Sequence, residues 1–125
     1  MPTYVLKINT LSAIEKIELP EDHDYKWYSK QIGCEWIEIV RPVGYNYVLI
    51  VDEEGRLKPN RINPIASMMY GTPKHGEPIV GTCLLMKEGI VDGEPDLVGL
   101  TEEEITTVMP VLEICRYTVR SFMRN

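Results

Sequence analysis

Apolar and polar residues alternate along the first twenty positions. "YVLKINT" (4–10) and "AIEKIEL" (13–19) change character at nearly every residue, the period of strands with one face turned inward. Together they predict an opening hairpin, ended by Pro20, which cannot donate to a ladder. The spacing turns helical in "DYKWYSKQIG" (24–33), with Tyr25, Tyr28 and Ile32 on one face, Asp24 as N-cap and Gly33 as a left-handed stop. "CEWIEIV" (34–40) and "YVLIVD" (47–52) read as strands, the second so apolar that it is expected at the sheet centre. "RPVGYN" (41–46) and "EEG" (53–55) carry turn residues.

Residues 61–81, "RINPIASMMYGTPKHGEPIVG", contain the chain's second short helix. Asn63 caps, Pro64 suits the first helical position, and Gly71 stops two turns later. "TPKHGEP" is a loop, and "IVGTCLLM" (79–86) a buried strand in which Gly81 predicts a bulge or a close backbone approach. "KEGIVDGEPDLVG" (87–99) is acidic and rich in turn residues, and is expected to be a mobile loop. "LTEEEI" (100–105) is a capping box with Thr101 at N-cap and Glu104 three residues on. Ile105, Val108, Leu112, Cys115, Val119 and Phe122 then follow at alternating spacings of three and four, one apolar stripe on a long helix that Pro110 is expected to kink or divide. The stripe suits core packing, and its heptad-like spacing also allows a dimer seam.

The elements sum to an α+β fold: a mainly antiparallel sheet of about five strands, two short helices and a longer C-terminal helix. Residues 1–125 form one domain, with a sheet-containing core over 1–99 and a helical segment over 100–125. Apolar content of 44% and charged content of 26% are those of a globular chain. The net charge of −6 argues against non-specific nucleic-acid binding, which depends on lysine and arginine neutralising phosphates. No apolar run approaches the roughly 20 residues of a membrane span. The start of the chain lacks a signal peptide's basic and apolar regions, so a cytoplasmic location is expected. Cys34, Cys83 and Cys115 are odd in number and widely spaced, which fits buried thiols better than disulfides or a zinc site.

"IGCEWIEIV" (32–40), "VDEEG" (51–55), "NPIASMMYG" (63–71) and "HGEPIVGTCLLM" (75–86) occur in that order. The series resembles a family of phages and mobile elements catalogued as domain of unknown function 3846. The matching positions include Gly33, Cys34, Glu38, Gly55, Asn63, Ser67, Tyr70, His75 and Gly81. The resemblance covers roughly residues 32–86. It implies a phage-like origin and no particular reaction.

Asn60, Arg61, Asn63, Ser67, Tyr70 and His75 make the leading candidate site. Arginine offers a planar fork to phosphate or carboxylate, and a helix start adds free N–H groups. The plainer account is that Asn63 only caps and Arg61 only pairs with Glu53 or Glu54. Arg41 and Tyr45, with Tyr47, Trp27 and Trp36 near them, would give a stacking platform for a base. Core packing accounts for Trp36 and Tyr47 as well. "PEDHD" (20–24) suits weak, adventitious metal binding better than a built site. Arg116, Arg120 and Arg124 make a basic stripe, read either as cations at a helix C-terminus or as a contact for an acidic partner.

No phosphate loop, zinc helix or nucleophile elbow is present. The expectation is therefore a non-catalytic, phage-type binding protein. It would sequester a small anionic, nucleotide-like molecule such as a host defence signal, as a homo-oligomer, without cofactor or metal. One alternative is a protein-interaction module that acts on a host protein through its C-terminal helix. Another is a small hydrolase using Ser67 and His75.

Overall fold

Strands form both where apolar and polar residues alternate and along short continuous apolar runs. In the computed structural model, which describes residues 1–42, 46–71 and 77–123, β1 (Tyr4–Ile8) and β2 (Ile14–Glu18) are followed by α1 (Tyr25–Ile32). Then come β3 (Ile37–Val40), β4 (Tyr47–Asp52), a 3-10 turn (Gly55–Leu57) and α2 (Pro64–Tyr70). β5 (Cys83–Val91), β6 (Glu94–Val98) and α3 (Glu102–Met123) complete the chain. All strands belong to one antiparallel sheet in the order β2-β1-β5-β4-β3, with β6 also paired to β5. The α+β class stands, with six strands among the described residues rather than about five.

The caps behave as their residue types require. Asp24 accepts the Trp27 N–H at 3.1 Å, and Gly33 ends α1 at φ 83°. Asn63 accepts the Ala66 N–H and Gly71 ends α2 at φ 98°. Thr101 and Glu104 bond each other's backbone N–H at 2.9 and 3.1 Å, the reciprocal capping box. α3 runs through Pro110 without dividing, and that residue is exposed. Water can therefore serve the carbonyl that the missing N–H leaves free.

Three expectations need correction. The central strand is β5, not β4, because only β5 is long enough to pair with β1, β4 and β6 together. β3 begins at Ile37 rather than Cys34, because the N–H of Cys34 is still bonded to the Ser29 carbonyl behind Gly33. Residues 87–99 are not a mobile loop: they are the outer half of β5 and all of β6, joined at Asp92-Gly93. Both turn residues have positive φ, 51° and 82°, as a type I′ hairpin turn needs. The acidic composition of this stretch conceals a turn signal that Asp-Gly carries openly.

Side-chain alternation sorts the core into two layers. One face of the sheet carries Leu6, Ile8, Leu49, Val51, Cys83 and Leu85, covered by Ile65, Ala66 and Met69 of α2 and by Ile105, Val108, Leu112 and Cys115 of α3. The other carries Val5, Val48, Ile50, Leu84 and Met86 under Tyr28 of α1, with Trp27, Ile32, Ile37 and Ile39 partly buried around them. The α3 stripe is therefore core from Ile105 to Cys115. Its start is fixed by Leu100, which exchanges both backbone hydrogen bonds with Tyr4, and by Gly99, where a Cβ would lie 2.5 Å from Thr3 Oγ1. Lys16 reaches Glu102 at 2.8 Å, and Lys87 pairs with Glu104.

Candidate functional site

The stretch from Arg61 to Gly81 closes on itself. Ile62 and Val80 form an antiparallel bridge, flanked by bonds from Asn63 N to Ile79 O and from Gly81 N to Arg61 O. Gly81 takes φ 77°, a left-handed turn rather than a strand bulge. Asn63 is fully buried, and both ends of its amide are occupied. Its oxygen caps α2, and its Nδ2 donates to Ile8 O and Gly81 O, each at 2.9 Å. Ser67 Oγ donates to Ile79 O at 3.1 Å and accepts the Ile79 N–H at 2.9 Å. These groups tie α2 to the ends of β1 and β5. The start of α2 is enclosed by that tie and offers no open end to an anion.

The other predicted residues scatter around the knot. Asn60 Nδ2 donates to Gly55 O at 3.0 Å. Arg61 is exposed, and among the described residues its guanidinium makes no ion pair, with Glu53 and Glu54 included. Tyr70 lines a neighbouring pocket of about 160 Å³, together with Glu38, Asp52, Glu53 and Arg56, and Arg56 Nε is 2.9 Å from Glu77. Three carboxylates against one paired arginine make that pocket unsuited to an anion. Arg41 pairs with Glu88 at 2.8 Å. Tyr45, His75 and Arg124 lie outside the described residues, and of Arg120 only its place in α3 is described. Arg116 pairs with Glu113 at 3.3 Å.

The aromatics are arranged differently from the expected platform. Tyr47 packs against the α2–α3 core, and Trp27 meets the edge of Tyr28 on the other face. In "PEDHD", Asp24 caps α1 and His23 Nδ1 shares a hydrogen bond with the Tyr28 hydroxyl. Burial, then the charges of Asp96 and Asp24, push that hydroxyl up to about 12. Among the described residues no group of three or more His, Cys, Asp or Glu is placed to hold a metal.

A different region has the features the prediction sought. Trp36 is not core: it is 54% exposed and stacks on Tyr25, also exposed, at a centroid distance of 6.5 Å and an interplanar angle of 16°. The sequence puts Tyr25 on the buried face of α1, yet only Tyr28 and Ile32 turn inward. Gly33 reverses the chain after α1, and the turn carries Trp36 back over the helix start.

Below the stacked pair runs an open groove of two adjoining cavities, about 420 and 490 Å³. They share the walls Ser29, Lys30, Cys34 and Glu35. Lys26 and the aromatics line one end, and Glu54 and Lys58 the other. Ser29 is 8% exposed, and its Oγ has no hydrogen-bond partner. Burial, then the Asp52 carboxylate, raises the Cys34 thiol, against smaller opposing effects of Lys58 and the Ser29 hydroxyl. That hydroxyl influences the thiol without reaching the geometry of a hydrogen bond. A raised thiol is a poor nucleophile at neutral pH. The legible signals for this groove were the lysines at i and i+4 with a serine between them, and a tryptophan just past a helix-stopping glycine.

A family model described as Domain of unknown function (DUF3846) matches residues 2–113, well beyond the segment that carries the motifs. No curated protein and no solved structure matches the chain.

Proposed function

We propose that this chain, which belongs to the Domain of unknown function (DUF3846) family, is a non-catalytic binding protein that sequesters a small anionic, nucleotide-like molecule in the groove between α1 and β3. In the phage or mobile-element setting that the resemblance implies, the captured molecule would be a host signal and the protein an anti-defence factor. The observation that carries this reading is Trp36, more than half exposed and stacked on Tyr25 at the rim of a lysine-bearing groove. A tryptophan left in water forfeits a large share of the area it could bury. An aromatic face held in place by a second ring offers a base a stacking surface, worth about 1–3 kcal/mol per base. Lys26 and Lys30 supply positive charge beside it. All these side chains come from one chain, so capture of this kind does not require a second copy. Among the described residues no histidine lines the groove to serve Ser29 or Cys34 as a base, and the chemistry it offers is recognition.

Isothermal titration with the four common nucleoside 5′-monophosphates tests the reading. The wild-type protein should bind at least one, and Trp36→Leu should weaken that binding about 5- to 150-fold. Thermal melting should confirm that the variant stays folded. Unchanged affinity in a folded Trp36→Leu protein would overturn the site.

A further inference from the structure

We infer that the groove selects a compact ligand with a single phosphate-like negative charge, and that it disfavours polyphosphates. The inference rests on the binding role proposed above and concerns the charge of what is bound. The groove is graded along its length. At the aromatic end Lys26 and Lys30 face one carboxylate, Glu35. At the far end Lys30 and Lys58 face two, Glu35 and Glu54. The Lys58 charge is already matched, since its Nζ lies 2.8 Å from Oδ2 of Asp52, a carboxylate only 7% exposed. With Lys30 and Glu35 counted once, one surplus positive charge remains at the stacking end and one unmatched carboxylate, Glu54, at the other.

A monophosphate beside the ring is held by Lys26 and Lys30. A further phosphate that follows the groove extends toward Glu35 and Glu54, where like charges repel it. The whole chain, at −6, adds to that repulsion at long range. The carboxylates suit the hydroxyls of a sugar, which donate hydrogen bonds. Ser29 lines both cavities at the midpoint, but its hydroxyl oxygen is sealed from solvent and offers an occupant no contact.

The test is isothermal titration of the full chain with a nucleoside, its 5′-monophosphate and its 5′-triphosphate, for each of the four common bases. The monophosphate should bind about fivefold or more tightly than the nucleoside and about tenfold or more tightly than the triphosphate, with both gaps narrowing as salt is raised. Lys30→Gln, an exposed substitution, should bring the monophosphate down to the affinity of the nucleoside. A triphosphate that binds as tightly as the monophosphate overturns the charge selection and leaves the binding role standing. So does a Lys30→Gln protein that keeps the full preference for the monophosphate. If no nucleoside or nucleotide binds the wild-type protein, the binding role itself fails, and the selection with it.

Discussion

Ser67 and Ser29 sit on short helices on opposite faces of the sheet, and each is 8% exposed. Ser67 makes two hydrogen bonds to the backbone of Ile79, whereas Ser29 Oγ makes none. The face that carries Ser67 is covered by α2 and by the long α3, and the polar groups of Asn63 and Ser67 beneath them are occupied by the chain itself. The face that carries Ser29 has only the eight residues of α1 over it, and at its edge the aromatics and lysines meet solvent. A buried polar group with all its partners holds a fold together. A buried polar group with none marks a place where the fold alone does not complete the chemistry.

That contrast can be broken most severely at Asn63. Asn63→Ala removes the α2 cap and leaves the carbonyls of Ile8 and Gly81 without their donor, so it should cost roughly 3–5 kcal/mol of stability in urea denaturation. A cost below about 1 kcal/mol would show that the knot is not what fastens α2 to the sheet.

The two serines give a sharper and smaller test. Ser67→Ala strips the buried Ile79 N–H of its partner, while the Ile79 carbonyl keeps the Asn63 N–H, and should cost about 1–2 kcal/mol. Ser29→Ala removes a hydroxyl that bonds nothing and should lie within about 0.5 kcal/mol of wild type, or be more stable. If the two variants lose equal stability, hydrogen bonding of the hydroxyl is not what separates the faces.

A third test lies in alkaline pH. Each face buries an acid whose proton the fold retains: Cys83, raised by burial from 9.0 to about 12, and Tyr28, raised from 10.0 to about 12. A pKa raised by folding stabilises fully below the unfolded value and loses that contribution as pH climbs to the folded one. Stability should therefore begin to fall above pH 9 through Cys83, joined above pH 10 by Tyr28. Burial raises Cys34 and Cys115 in the same sense. In Cys83→Ala the decline between pH 9 and 10 should be shallower than in wild type, whereas Tyr28→Phe should flatten only the part above pH 10. Denaturation midpoints measured across that range separate the two. A Cys83→Ala profile parallel to wild type would rule out the thiol as the source.

Much of the scaffold was legible from local pattern. Asp24, Asn63 and Thr101 cap as written, Gly33 and Gly71 stop their helices, and the α3 stripe from Ile105 to Cys115 is the buried face it promised to be. Residues 87–99 were misread because composition was weighed above the Asp-Gly turn, and the outer half of β5 has its partner in β6. The candidate site was less legible. Arg61, Asn63, Ser67 and Tyr70 are close in sequence and chemically varied, which made them conspicuous. In the fold Asn63 reaches Ile8, fifty-five residues away, and Ser67 reaches Ile79.

The sequence by itself determined where elements begin and end, because caps, turn residues and hydrophobic period act over a few neighbouring positions. It also determined that a sheet with two buried faces had to form, since "VLIV" in β4 and "CLLM" in β5 are apolar on both sides. Only the tertiary structure decided which polar groups would be occupied and which left open. Whether an amide or hydroxyl finds a partner depends on backbone brought in from distant strands. Whether Trp36 is core or platform depends on how little of its face of the sheet the eight residues of α1 can cover.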